Sequence, residues 1–161
     1  RNAVKKDFRD IYSSPMSQGT RCHQLATYIV FDSPLVMLCD APTAYRKEPE
    51  CTRFIAGLPV VADETRILQG KMGEYIVTAR RVGEDWIVGG LTDWEARTVD
   101  LDLSFLPEGM FRAEIFCDGI NADKKGEDYR HEYRDVKRED RLEMQLAPGG
   151  GFAIRLKKNH N

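Results

Sequence analysis

No apolar stretch in this sequence is long enough to cross a membrane. The longest, Leu35-Val36-Met37-Leu38-Cys39, lies between Asp32 and Asp40, far short of the ~20 residues a spanning helix needs. Cysteine is scarce and scattered. Cys22, Cys39, Cys51 and Cys117 form no CxxC pair and have no metal-ligand spacing, so they are expected to be buried small hydrophobes. Neither sign of charge dominates: 24 basic against 26 acidic residues leave a net charge of −2. The signs are interspersed, so no basic patch points to nucleic acid. Histidine is sparse as well. His23 falls near a helix start, His131 on an edge strand and His160 in the tail. No Ser/His/Asp or Cys/His arrangement is present, which argues against nucleophilic catalysis within the chain. The chain opens Arg1-Asn2-Ala3 without an initiator Met and reads as a cut inside a longer protein.

What is there changes character near Pro59. Residues 1 to 17 read as a long loop with little more than one helical turn. A helix is expected over Gln18 to Phe31. Cys22, Leu25, Tyr28 and Ile29 share a face that Ala26 and Val30 widen, and Thr20 or Ser17 serves as cap. Asp32-Ser33-Pro34 stops it. Leu35 to Leu38 is apolar without alternation, the pattern of a strand buried on both faces of a parallel sheet. A second helix is expected over Pro49 to Ala56, opened by Pro49 and Glu50 and closed by Gly57 and Pro59. Helix, buried strand, loop, helix is the rhythm of an α/β barrel. One such unit cannot bury its own apolar faces.

From Val60 onward about eight short strands follow, separated by turn residues. Expected strands are Glu74 to Arg81 and Trp86 to Leu91, joined as a hairpin at Gly83-Glu84-Asp85. Thr98 to Phe105 alternates most cleanly, with Val99, Leu101, Leu103 and Phe105 on one face. Phe111, Ala113, Ile115 and Cys117 make the next inward face. Tyr129 to Lys137 is polar on both faces and reads as an edge strand. Leu142 to Leu146 and Phe152 to Leu156 flank the turn Pro148-Gly149-Gly150-Gly151. The fold class expected is therefore an α/β remnant, the last helix-strand-helix of a TIM barrel, over residues 1–58. An all-β antiparallel sandwich over residues 60–161 follows it.

Candidate chemistry is thin. Paired carboxylates serve glycoside hydrolysis, and Asp40, Glu48, Glu50, Asp63 and Glu64 are the candidates for it. Glu48 and Glu50 read as a helix start, Asp63 and Glu64 as a solvated strand entrance. Asp40 follows the buried strand at its C-terminal end, the face that carries the active site in an α/β barrel. It is the one substrate-rim candidate, against a structural role in bracing the loop. Trp86 reads as core, while Trp94, in a turn, could stack on a sugar ring. Asp118-Gly119-Ile120-Asn121-Ala122-Asp123 is rich in oxygen ligands but lacks the EF-hand spacing, so it reads as a strand connection. The glycine run has no following helix and reads as a turn, not a phosphate cradle. No catalytic or metal residue is assigned.

Several runs resemble the C-terminal region of glycoside hydrolase family 97. They are Ser17-Gln18-Gly19-Thr20-Arg21-Cys22-His23-Gln24-Leu25-Ala26, Ser33-Pro34-Leu35-Val36-Met37-Leu38-Cys39-Asp40-Ala41-Pro42 and Asp63-Glu64-Thr65. Further along come Gly73-Glu74-Tyr75-Ile76-Val77-Thr78-Ala79-Arg80-Arg81, Leu101-Asp102-Leu103-Ser104-Phe105-Leu106, Asp118-Gly119-Ile120-Asn121-Ala122-Asp123 and Leu146-Ala147-Pro148-Gly149-Gly150-Gly151. The resemblance implies a calcium-dependent, exo-acting α-glycosidase of the α-glucosidase or α-galactosidase type, exported to the periplasm or secreted by a bacterium. It implies that the catalytic pair and calcium ligands lie upstream, in the rest of the barrel and an N-terminal domain. These upstream parts would be the first partners of this segment, and a homodimer a further one. The substrate would be an oligo- or polysaccharide bearing terminal α-linked glucose or galactose. This segment would complete the barrel and add a packing and oligomerisation sandwich, and alone it is expected to be inactive. The alternative is a stand-alone carbohydrate- or partner-binding module.

Overall fold

The computed structural model describes residues 2–13, 15–33, 35–38 and 40–159. Alternating apolar residues from Glu64 onward fold into eight strands. These are β3 (Glu64–Lys71), β4 (Tyr75–Val82), β5 (Asp85–Thr92), β6 (Arg97–Asp102), β7 (Phe111–Asp118), β8 (Tyr129–Val136), β9 (Arg141–Leu146) and β10 (Gly151–Lys158). Ahead of them lie two-residue strands β1 (Asn2–Ala3) and β2 (Ser17–Gln18), paired in parallel, and helices α1 (Arg21–Val30), α2 (Pro42–Lys47) and α3 (Pro49–Ala56).

Six strands form one antiparallel sheet in the order β3-β4-β5-β10-β7-β8, and β6 pairs with β9 in a separate ribbon. The last strand thus inserts at the centre, between β5 and β7. The ribbon lies across one face of the sheet and the helices across the other. On the ribbon, Val99 opposes Met144 and Leu101 opposes Leu142, all buried, while their neighbours face water. From the sheet, Val77, Val88, Ile115, Phe152 and Ile154 complete that core. The opposite face presents Ile87, Phe116 and Ala153 to Cys22, Leu25 and Ile29 of α1 and Phe54 of α3. Covered on both sides, β5 is buried along nearly its whole length.

Local chemistry sets the boundaries. Gly19 has φ of +87°, outside the helical region, and the Thr20 side chain accepts from the His23 N–H, so α1 begins at Arg21, later than the expected Gln18. Pro49 at the first turn and Gly57 past the end bound α3 as expected. The strand expected over Thr98 to Phe105 ends at Asp102, whose carboxylate accepts the Ser104 N–H and turns the chain. Leu103 stays buried and Phe105 packs edge-on against Trp86 at 5.1 Å, so the inward face persists beyond the ladder. Trp86 is core, as expected. Cys22, Cys51 and Cys117 are buried free thiols, while Cys39 and His160 lie outside the described residues.

Two expectations are corrected. Leu35 to Leu38 forms no strand. These residues are 74%, 46%, 72% and 45% exposed, and no described strand pairs with them. The loop expected before α3 contains α2, a six-residue helix with Pro42 in its first turn and no buried residue, too short to print a periodic pattern. The segment over residues 1 to 17 contributes β1, a turn and the start of β2.

Candidate functional site

Three places gather polar side chains. The first is where the glycine turn meets the start of α1. The Asp118 carboxylate, at the end of β7, accepts from the Ala147 and Gly151 N–H groups at 2.9 and 3.0 Å. A Cβ on Gly150 would lie 2.0 Å from that carboxylate, and one on Gly149 2.4 Å from the Trp94 ring. Only glycine lets the turn close this tightly. Gly149 also has φ of +66°, and its carbonyl accepts the Thr20 N–H at 2.9 Å. The Gly150 carbonyl accepts Nδ1–H of His23 at 3.1 Å. The run is thus a turn, as expected, and it staples α1 to the sheet. Burial pushes the Asp118 carboxyl up to about 6, against the pull of the Thr20 side chain and the two backbone donors. Burial likewise holds His23 below its ordinary range, and it pushes the Cys22 thiol well up, which disfavours the thiolate.

The second place is the contact between α3 and the strands β7 and β8. His131 stacks on Phe116 with ring centroids 4.0 Å apart. Its ring nitrogens lie 3.5 Å from Glu50 and 3.2 Å from Glu114. Tyr129 donates to Glu50 and Tyr133 to Glu114, and the Arg155 guanidinium donates to the Phe54 carbonyl. These groups tie the helix to the sheet.

The third is a groove of about 660 Å³ between the N-terminal segment, α1 and the α2–α3 pair. The buried Arg21 guanidinium sits in its wall, 2.8 Å from Glu48 and hydrogen-bonded through Nε to Asn2. Asp40 lies at its edge, exposed. Its carboxylate accepts the Ala41 N–H and its own N–H donates to the Tyr45 hydroxyl. The second sequence candidate, Trp94, is half-buried elsewhere, with its ring against Gly149 and Lys5 Nζ 5.8 Å from its centroid. Glu48 stands at the N-cap position of α3 with its carboxylate turned to Arg21, and Glu50 lies in the first turn. Asp63 and Glu64 pair with Arg81, and the hydrogen bond from Arg66 holds Glu64 below the usual carboxylate range. The structure therefore does not bring Asp40 and Trp94 together. The role of Asp118 went unread because its partners are backbone amides, which sequence does not mark; the signal available was Asp-Gly at a strand end together with three consecutive glycines.

Among the described residues, no three His, Cys, Asp or Glu side chains stand together so as to hold a metal ion. The described residues do not fit calcium. Among the described residues no helix is long and apolar enough to cross a membrane.

The described carboxylates of this helix-backed sandwich pair with arginines, backbone amides and helix starts. Residues 61–157 match the family description "Glycosyl-hydrolase 97 C-terminal, oligomerisation", and the chain belongs to that family. It is 55% identical over 98% of its length to a retaining alpha-galactosidase of Bacteroides thetaiotaomicron, of which it covers 24%. It is 30% identical over 81% of its length to a probable retaining alpha-galactosidase of Streptomyces bingchenggensis, of which it covers 19%. A family 97 enzyme from Pseudoalteromonas sp. strain K8, solved with acarbose, superposes with a TM-score of 0.85 at 38% identity, over 88% of this chain and 23% of that one. The chain thus spans about a quarter of the length of these relatives or less.

Proposed function

We propose that this chain is the C-terminal part of an exo-acting α-glycosidase that removes terminal α-linked galactose with retention, and that it supplies structure and assembly rather than chemistry. The observation that carries this reading is the 55% identity to a retaining alpha-galactosidase along 98% of the chain. In this reading residues 1–58 end the catalytic (β/α)₈ barrel and residues 60–161 form the appended sandwich. The exposed run Leu35 to Leu38, set between α1 and the α2–α3 pair, supports a last barrel strand, since four consecutive apolar residues gain nothing from water. The catalytic carboxylates and the calcium ligands then belong to the rest of the barrel. Asp40, directly after that strand, reaches the rim of the active site. Trp94, its ring partly covered, is a weaker sugar contact. The enzyme acts in the periplasm or outside the cell, as the family resemblance implies.

The full-length protein tests this with aryl α-galactoside and α-glucoside, following the first-formed anomer by proton NMR. The α-galactoside is expected to turn over faster and to release α-galactose. Preference for the glucoside, or a β-anomer as first product, would contradict the reading. Asp40→Asn in the full-length protein is expected to raise KM several-fold with Tm unchanged; an unaltered KM removes Asp40 from the rim.

A further inference from the structure

The six-stranded sheet ends in two unlike edges. On β8, charges alternate along the strand and are paired: Arg130 and Arg134 lie 3.4 and 3.6 Å from Glu132, and Asp135 is 3.1 Å from Arg112. Such an edge repels a second strand. On β3 the charges are Glu64, Arg66 and Lys71, also paired, but they leave a gap between Arg66 and Lys71 and a bare turn tip. Beyond Glu64 and Arg66, the strand carries Ile67, 61% exposed, and its turn into β4 carries Met72, 101% exposed. Ile67 and Met72 border a groove of about 560 Å³ whose floor is Tyr75, Ile76 and Leu91 and whose rim carries Lys71, Glu74 and Asp93. Two large apolar side chains standing in water next to an apolar groove are costly unless something covers them.

We infer that this corner, β3 with the β3–β4 turn, is where two copies of the chain meet, Met72 of each seated in the groove of the other. A two-fold contact must be self-complementary, with projection and recess on the same patch, and this corner has both. The register shift between Ile67 and Gln69 kinks the edge, so the contact is made by side chains rather than by extending the ladder. The occupant is a second copy because the segment that holds this corner, 61–157, carries a family description that names oligomerisation. The inference deepens the assembly role proposed above and rests on it.

The test is the mass of the full-length protein by light scattering across a concentration series, with Met72→Glu, Ile67→Glu and, as control, Tyr133→Glu on the β8 edge. An oligomer whose apparent Kd rises at least tenfold in Met72→Glu and Ile67→Glu, and not in Tyr133→Glu, is the result expected. An oligomer untouched by both β3 variants overturns this placement and leaves the assembly role standing. A wild-type protein that stays monomeric throughout overturns both. Met72 lies in an exposed turn, so far-UV circular dichroism should be unchanged. A Met72→Glu variant that keeps its mass but loses Tm would mean the corner is covered by another part of the same chain, which also overturns it.

Discussion

The two faces of the six-stranded sheet are built differently. Towards the β6–β9 ribbon the contacts are aliphatic and aromatic, and supplied wholly by residues after Glu64. Towards the helices a smaller apolar cluster of Cys22, Leu25, Ile29, Phe54 and Phe116 is ringed by polar ties: Asp118 to the glycine turn, His131 between Glu50 and Glu114, Arg155 to the Phe54 carbonyl. The ribbon face makes a self-sufficient core. The helix face is a docking surface, fixed by a few specific contacts, and the apolar run that follows α1 stays outside it.

The largest expected effects would break that contrast. Phe152→Ala empties the centre of the ribbon-side core and is expected to lower stability by about 3–5 kcal/mol, read from the denaturant midpoint of the whole domain. Phe54→Ala removes a ring equally buried on the other face, packed 4.9 Å from Phe116. It is expected to open the helices first, so amide exchange speeds in α1 and α3 while β4 and β7 hold their protection. Equal acceleration in helices and sheet would erase the distinction.

The staple at Asp118 sharpens the comparison through pH. Its carboxyl is raised from 3.8 to about 6, so the folded state binds the proton more tightly than the unfolded one. That contribution is fully present below pH 4 and is lost as pH rises through 6, on the order of 3 kcal/mol at most. Because Glu64, Asp93 and Asp102 are shifted the other way by hydrogen bonds, the difference between wild type and Asp118→Asn is the quantity to follow. Wild type is expected to lose ground against the variant between pH 4 and pH 7, by urea melts; a constant difference would mean the carboxylate is not buried in solution.

Gly89→Ala is a smaller wedge on the helix side alone. The added Cβ would lie 2.9 Å from Ile29 Cβ and 3.1 Å from the Ala26 carbonyl. A loss of about 1–3 kcal/mol is expected, with α1 protection falling most. Smallest is Arg141→Ala on the ribbon's wet face, where two ion pairs at 2.6 Å to Asp100 and Asp102 are solvent-exposed and screened, so a denaturant midpoint indistinguishable from wild type is expected.

Much of this was legible beforehand, for a physical reason. Strands covered on one face print a period of two, so Val99 and Leu101, Leu142 to Leu146, and Phe111 to Cys117 announced their inward sides. α3 carried its own stop signs. What stayed illegible depends on partners distant in sequence. Nothing local says that β10 inserts between β5 and β7, or that Asp118 is held by amides at Ala147 and Gly151. Leu35 to Leu38 reads as a buried strand, yet no described strand pairs with it. Asp40 stands out in sequence for its place after that run, whereas its hydrogen bonds to the Ala41 N–H and the Tyr45 hydroxyl carry no sequence signature.

The most direct measurement is turnover by the pure 161-residue chain beside the full-length protein, on the same aryl α-galactoside, with circular dichroism confirming a strand-rich fold. The account predicts hydrolysis by the full-length protein and none above buffer by the chain. Measurable turnover by the folded chain would contradict it, and would place catalytic groups among residues that here serve as caps, ties and ion pairs.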